Sequence, residues 1–180
     1  MKKIALSMMV LCAMVAFNTA TAQVIKPVAD GSKLAFNIKN LGITTTGYFK
    51  QIEGTINFSP ASLTTASFDV YIPTASIDTD NNLRDSHLKK EEYFDVTKYP
   101  KMHFVSTKVS QTSAGKYVMI GNLSIKDVTK TVSIPFTVKE QSGGYLFTGE
   151  LPLNRRSYHV GGRSFTLSDD LTISLKVLAK

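Results

Sequence analysis

Cysteine is nearly absent. The one thiol in the 180 residues, Cys12, lies inside an apolar N-terminal stretch. A chain that loses this stretch has no disulfide, no thiolate metal ligand and no cysteine nucleophile. Leu11 is bulky where a lipoprotein signal needs a small residue, which argues against lipidation. Long hydrophobic runs are equally scarce. Ile4 to Phe17 is interrupted by Ser7 and falls short of the ~18 residues a membrane span needs. Lys2 and Lys3 precede it, and Ala20-Thr21-Ala22 follows as an A-x-A cleavage sequence. Residues 1–22 therefore read as a secretory signal peptide, and residues 23–180 as one exported, soluble domain.

Several functional constellations are also missing. With Lys2 and Lys3 removed the formal charge falls from +7 to +5, and the remaining cations (Lys33, Lys39, Lys50, Lys108, Lys116, Lys139) are scattered. Nucleic acid is not an expected partner of such a surface. No G-x-S-x-G occurs, and Gly161-Gly162 reads as a turn before the last strand rather than a phosphate loop. His87, His103 and His159 lack metal-motif spacing. His103 alternates with Met102 and Phe104, so it is expected on the wet face. Glu53, Glu91, Glu92 and Asp95 read as surface or helix-end charges rather than acid–base pairs. The expectation is a protein that is not an enzyme and needs no metal or cofactor.

What the chain does have is period-two alternation. Leu34, Phe36 and Ile38 alternate with Lys33, Asn37 and Lys39. The same pattern holds for Ala66, Phe68, Val70 and Ile72, for Val132, Ile134, Phe136 and Val138, and for Leu171, Ile173, Leu175 and Val177. Each run predicts a strand with one wet and one dry face. Thr44 to Phe58 reads as one bent strand or two short ones, with Gly47 and Gly54 allowing a bulge. Met102–Val109, Lys116–Ile125 and Tyr145–Leu153 bring the expected total to about eight, with hairpin turns at Ser142-Gly143-Gly144 and Asp127–Lys130. Such strands hide their dry faces by closing into a barrel or stacking two sheets. Periodicity does not tell a filled barrel from a hollow one.

From Thr79 to Phe94 the spacing turns helical, with Leu83, His87 and Leu88 near one face and Thr79 or Asp80 as N-cap. Tyr99-Pro100 ends it. Within this segment Arg84 and Asp85 are neighbours that project differently from a helix and need separate partners. Arg155, Arg156 or strand-end carbonyls are candidates for those partners, pinning the helix over a barrel end. Alternatively the two line the mouth and meet a ligand's polar head.

Three blocks resemble the YceI family, lipocalin-like polyisoprenoid-binding proteins of the bacterial envelope. The first is Arg84-Asp85-Ser86-His87-Leu88 with Tyr93-Phe94-Asp95, Tyr99-Pro100 and Phe104-Val105-Ser106. The second is Gly121-Asn122-Leu123-Ser124-Ile125-Lys126-Asp127-Val128-Thr129-Lys130, and the third Asn154-Arg155-Arg156-Ser157-Tyr158-His159-Val160-Gly161. Gly47-Tyr48-Phe49 fits the family's G-x-F. Asp127 and His159 stand where the family usually has glycine, and Ser157 where it has aspartate.

The resemblance implies an all-β, extended eight-stranded antiparallel lipocalin-like barrel with one short helix near an end. It implies periplasmic or secreted protein that binds, carries or stores an isoprenoid-type lipid, a polyprenyl chain or quinone precursor. The expected apolar lining is Phe36, Ile38, Phe49, Phe58, Phe68, Val70, Ile72, Phe104, Leu123, Phe136 and Phe147. Leu83, Leu88 and Phe94 are expected to close one end, and Arg84, Asp85 and Arg155 to form the polar end. Transient membrane contact and a monomeric or homodimeric state are both compatible with such a carrier. The rival reading is a filled barrel that serves envelope stress or interaction without a ligand.

Overall fold

In the computed structural model, which describes residues 23–180, the alternating runs form one antiparallel sheet. The expected signal segment 1–22 lies outside the described residues. Six strands precede the helix: β1 (Gln23–Ile25), β2 (Pro27–Asn40), β3 (Ile43–Phe49), β4 (Glu53–Phe58), β5 (Ser67–Pro73) and β6 (Ile77–Asp78). After α1 (Asn82–Leu88) come β7 (Lys101–Ser113), β8 (Lys116–Ile125), β9 (Val128–Gln141), β10 (Gly144–Asn154) and β11 (Leu167–Ala179). Their spatial order is β1-β4-β5-β7-β8-β9-β10-β11-β2-β3-β6.

Eleven strands thus replace the eight expected. Three breaks make the difference: Thr44 to Phe58 is two strands, the second of its two expected readings, and β1 and β6 are short pieces outside the alternating runs. β1 passes into β2 at Lys26, whose backbone exchanges hydrogen bonds of 2.8 and 3.0 Å with Lys180. β3 and β4 are separated by residues 50–52, and β5 and β6 by a 3₁₀ turn, Thr74–Ser76. The broken paths nonetheless stay partnered. β4 pairs with β5 and β3 with β6, and between them the Lys50 N–H donates to the Ser76 carbonyl at 3.1 Å. β1 on β4 likewise continues β2 on β3. The outermost strands of the sheet, β1 and β6, therefore lie on paths that re-enter it, so the curl returns on itself and leaves little free edge.

Local chemistry sets the bends. Gly54 sits at φ 123°, and a Cβ there would lie 2.1 Å from the Asp69 carbonyl oxygen. Glycine alone lets β4 and β5 approach at that angle. Ser142 and Gly143, at φ 54° and 78°, turn β9 into β10 as expected. The β8–β9 turn comes one residue earlier than expected, at Lys126 (φ 54°) and Asp127, because Val128 and Thr129 are already paired.

The helical excursion is shorter than its spacing suggests. α1 covers seven residues, and its cap is Asn81 rather than Thr79 or Asp80: the Asn81 side chain accepts from the Arg84 N–H at 3.0 Å. Phe94 closes a turn onto the Leu88 carbonyl, and Tyr99 onto Asp95, which adopts φ 47°. Buried Thr74 then holds the exit, its N–H on the Pro100 carbonyl (2.9 Å) and its hydroxyl on that of Tyr99 (2.7 Å).

The interior is filled at one end. Phe58 is fully buried, with the rings of Tyr117, Tyr145 and Phe147 edge-on to it at 5.5, 5.5 and 5.3 Å. Phe68 and Phe136 complete this plug. Edge-to-face aromatics add to the area they bury. Phe58→Ala is expected to cost about 3–5 kcal/mol, read as a lower urea midpoint at unchanged slope.

Candidate functional site

Above the plug the dry faces do not meet. A cavity of about 440 Å³ keeps them apart, within the ~300–1,000 Å³ usual for ligand pockets. Its wall is almost wholly apolar. Phe36, Ile38, Phe68, Val70, Ile72, Phe104, Leu123, Phe136 and Phe147 border it, as do Phe49 and, from the helix end, Leu88 and Phe94. Phe94 meets Phe49 edge-on at 5.7 Å. Arg84 and Arg155 reach the same cavity.

Three residues expected there are elsewhere. Phe58 belongs to the plug below. Leu83 is 85 % exposed, because α1 turns it toward solvent. Asp85 is buried but committed: it accepts from the Thr79 N–H at 2.9 Å and the Thr79 hydroxyl at 2.5 Å. Arg84 grips the same residue, Nε on the Thr79 hydroxyl oxygen (2.7 Å) and Nη2 on its carbonyl (2.6 Å). The neighbouring pair thus converges on Thr79 instead of pairing with Arg155 or Arg156. Thr79, spent in this way, is not available as a cap.

Arg155 organises the loop that faces the helix. It is buried on the 3₁₀ turn Arg155–Tyr158. Its Nε donates to the Ser168 carbonyl (2.9 Å), Nη1 to those of Val160 (3.0 Å) and Gly162 (2.9 Å), and Nη2 to Asp169 Oδ1 (2.7 Å). A buried guanidinium is tolerable only when paired and hydrogen-bonded in this way. Gly161 (φ 70°) lets it fit: a Cβ there would sit 2.7 Å from both Arg155 Nη1 and the Tyr93 ring. The Gly161 N–H also donates to the Glu92 carbonyl at 2.9 Å.

The remaining side chain that ties this end together is Lys126. Its Nζ donates to the carbonyls of Glu91 and His159, 3.0 Å each. The helix tail, the β8–β9 turn and the β10–β11 loop therefore converge on one end of the barrel. His159 Nδ1 lies 3.2 Å from Asp127 Oδ1. Asp127's own backbone N–H, and then His159, hold its carboxyl below the usual carboxylate range.

The sequence profile of a family described as YceI-like domain matches residues 25–179. The chain belongs to that family. A UPF0312 protein of Pseudomonas savastanoi pv. phaseolicola is 34% identical over 153 residues, 81% of this chain and 80% of its own. The crystal structure of Burkholderia cenocepacia BcnA superposes with a TM-score of 0.81 at 27% identity, covering 86% of this chain and 99% of that one. A Campylobacter jejuni YCEI protein does so at 0.65 and 30%, covering 73% and 82%. A polyisoprenoid binding domain from Saccharophagus degradans shares the fold, with a TM-score of 0.69 at 13% identity over 87% and 97%.

In this YceI-like chain the two Asp127 and His159 departures from the usual glycines touch each other. His159 sits at φ 56°, a conformation glycine adopts without strain, and the contact with Asp127 offsets part of that strain. The expected lining leaves out Leu34, Met102, Met119, Ile134, Ile173 and Leu175, which also line the cavity. Alternation had already put Leu34, Ile134, Ile173 and Leu175 on dry faces, which was the available signal. Tyr93, Tyr158 and Val160 line it from irregular segments that carry no period. The histidines lie apart: His87 at the cavity, His159 on its turn. His103 is half-buried on the outer wall, stacked on Tyr71 at 4.0 Å and 2.7 Å from Asp69.

Two outcomes test this description. Arg155→Ala orphans three carbonyls and is expected to destabilise by about 3–5 kcal/mol in urea. Burial pushes the Tyr158 phenol above its ordinary 10.0, so the fold keeps a proton that the unfolded chain releases. Stability therefore falls as pH rises through 10.0 and beyond, and Tyr158→Phe flattens that part of the alkaline denaturation curve.

Proposed function

We propose that this protein binds a long apolar isoprenoid-type lipid in the cavity and carries or stores it outside the cytoplasm, the first 22 residues serving as a cleaved export signal. The observation that carries the reading is an apolar space inside the curled sheet, plugged at one end by aromatic rings and polar only at the other. An apolar cavity of about 150 Å³ holds one benzene, so this one suits a chain on the order of 15–20 carbons. At ~0.8 kcal/mol per buried CH₂, about 15 carbons supply ~12 kcal/mol. Association costs of ~4–15 kcal/mol consume much of that, so an extended chain, not a small apolar molecule, is the ligand that can bind tightly here. The description of the Saccharophagus degradans domain as polyisoprenoid binding supports the same ligand class.

The reading is one of holding, not turnover. The charged and titratable groups that face the cavity mouth are already engaged with structure: Arg155 with four protein acceptors, Arg84 with Thr79 and His87 with Glu92. Such commitments fix a mouth and leave little for moving protons.

Organic extraction of the purified protein followed by mass spectrometry is expected to yield a prenyl-type chain, and the emptied protein to take up added polyprenol. Empty extracts combined with no uptake would sink the proposal. Leu123→Trp, which fills part of the cavity, is expected to weaken uptake at least ~10-fold while costing only ~1–3 kcal/mol of stability.

A further inference from the structure

The opening of the cavity carries apolar side chains that nothing in the fold rewards. Among the described residues five large hydrophobic side chains stand out as exposed, and four of them belong to segments at this opening: Leu41 (74 %), Ile43 (72 %), Leu83 (85 %) and Phe165, which is fully exposed. Asn40, Arg84, Ser164 and Thr166, beside Leu41, Leu83 and Phe165, border the cavity. The Leu41 N–H donates to the Thr166 carbonyl at 2.8 Å, so the β2–β3 turn and the 163–166 loop lie side by side. The fifth, Val24, is on β1 at the plugged end. Scattered exposed hydrophobics need no explanation, but a contiguous group at one opening does.

Leu41 sharpens the point. It occupies φ 51° at the tip of a tight turn, followed by Gly42 at φ 79°. Turn chemistry favours asparagine, aspartate or glycine there, and a branched apolar residue is a strained choice. The sequence breaks a local rule for a side chain that stays 74 % exposed, which is the mark of a functional position.

Charge indicates the partner. No carboxylate occurs from residue 31 to 52 or from 151 to 168, the segments that carry Leu41, Ile43 and Phe165 together with Lys39 and Arg163. Lys50, Arg155 and Arg156 are taken up by Asp78 and Asp169, and Asp80, Asp85, Glu91 and Glu92 lie on the helix side with Leu83. Lys39 and Arg163 flank the apolar tips, and neither is paired with a carboxylate among the described residues. Apolar tips framed by unpaired cations are complementary to an anionic bilayer surface, where side chains of the first kind insert and those of the second meet phosphate.

We propose that this rim docks on an anionic phospholipid membrane and sets the cavity mouth against the acyl layer. The docking deepens the lipid-binding reading, since a chain could then enter or leave without crossing water, but it is measured independently of what fills the cavity. No helix among the described residues is long and apolar enough to cross a membrane, and the docking proposed is at the bilayer surface.

The test is flotation of the purified protein with vesicles of phosphatidylglycerol and phosphatidylcholine in equal parts, against vesicles of phosphatidylcholine alone. Binding is expected on the mixed vesicles and is expected to weaken with salt. The double variant Leu41→Ser, Phe165→Ser should lose at least about tenfold in partitioning, and Lys39→Gln or Arg163→Gln about fivefold each. All three should keep the β-sheet circular dichroism and the polyprenol uptake of the parent protein. Val24→Ser, at the plugged end, should bind as the parent does, and Leu123→Trp, impaired in the cavity, should still float. Equal binding to both vesicle types, no binding to either, or a rim double variant that floats like the parent would overturn the docking while leaving the cavity reading standing. So would a concentration-dependent dimer in sedimentation that the rim variant abolishes, with no vesicle binding. Loss of uptake with flotation intact would sink the cavity reading instead.

Discussion

Backbone pairing around a curled sheet is the constraint from which the cavity follows. Each strand is held at a fixed spacing from its neighbours by ladder hydrogen bonds, so the apolar side chains on the inner face cannot draw together to close the space between opposite walls. The circuit is maintained across three breaks, at Lys26, at residues 50–52 and at residues 74–76, because backbone bonds such as Lys26 to Lys180 and Lys50 to Ser76 carry the pairing over them. Where large aromatics project together, as around Phe58, they fill the lumen. Where aliphatic side chains such as Leu34, Ile38, Leu123, Ile173 and Leu175 project among the rings, they do not.

The two ends of the barrel are finished by opposite means. The plugged end is closed by hydrophobic contact among aromatic rings, which is non-directional and dense. The open end is built from directional bonds: Asp85 and Arg84 on Thr79, Arg155 on three carbonyls and Asp169, Lys126 on two carbonyls. Polar bonds of this kind hold a shape without filling space, and the cavity reaches this end. The three sequence blocks that resemble the YceI family supply both parts of this end: Arg84, Asp85, Lys126 and Arg155 belong to the polar scaffold, and Leu88, Phe94, Phe104, Leu123 and Tyr158 line the cavity.

That division also explains which expectations matched. The one-sided strands, the β9–β10 turn and most of the inner-face residues follow from period-two alternation, a property of the extended chain itself. The helix was expected from Thr79, yet it starts at Asn82, because Thr79 is taken by two side chains that only the folded loop brings to it. Leu83 and Asp85 were misplaced for the same reason: a seven-residue helix shows too little periodicity to say which side faces inward. The count of eight strands left out β1 and β6, since strands of three and two residues are too short to show an alternation.

The sequence by itself determined the all-β class, the dry face of each strand and the absence of cysteine from residues 23–180, because these depend on residue type and on a spacing of two. Only the tertiary structure decided that the dry faces enclose a space, that Phe58 seals it while Phe68 borders it, and that Leu41 and Phe165 stand together at its opening. Those facts depend on the distance between residues far apart along the chain. That distance is set by how the sheet curls, and no local pattern records it.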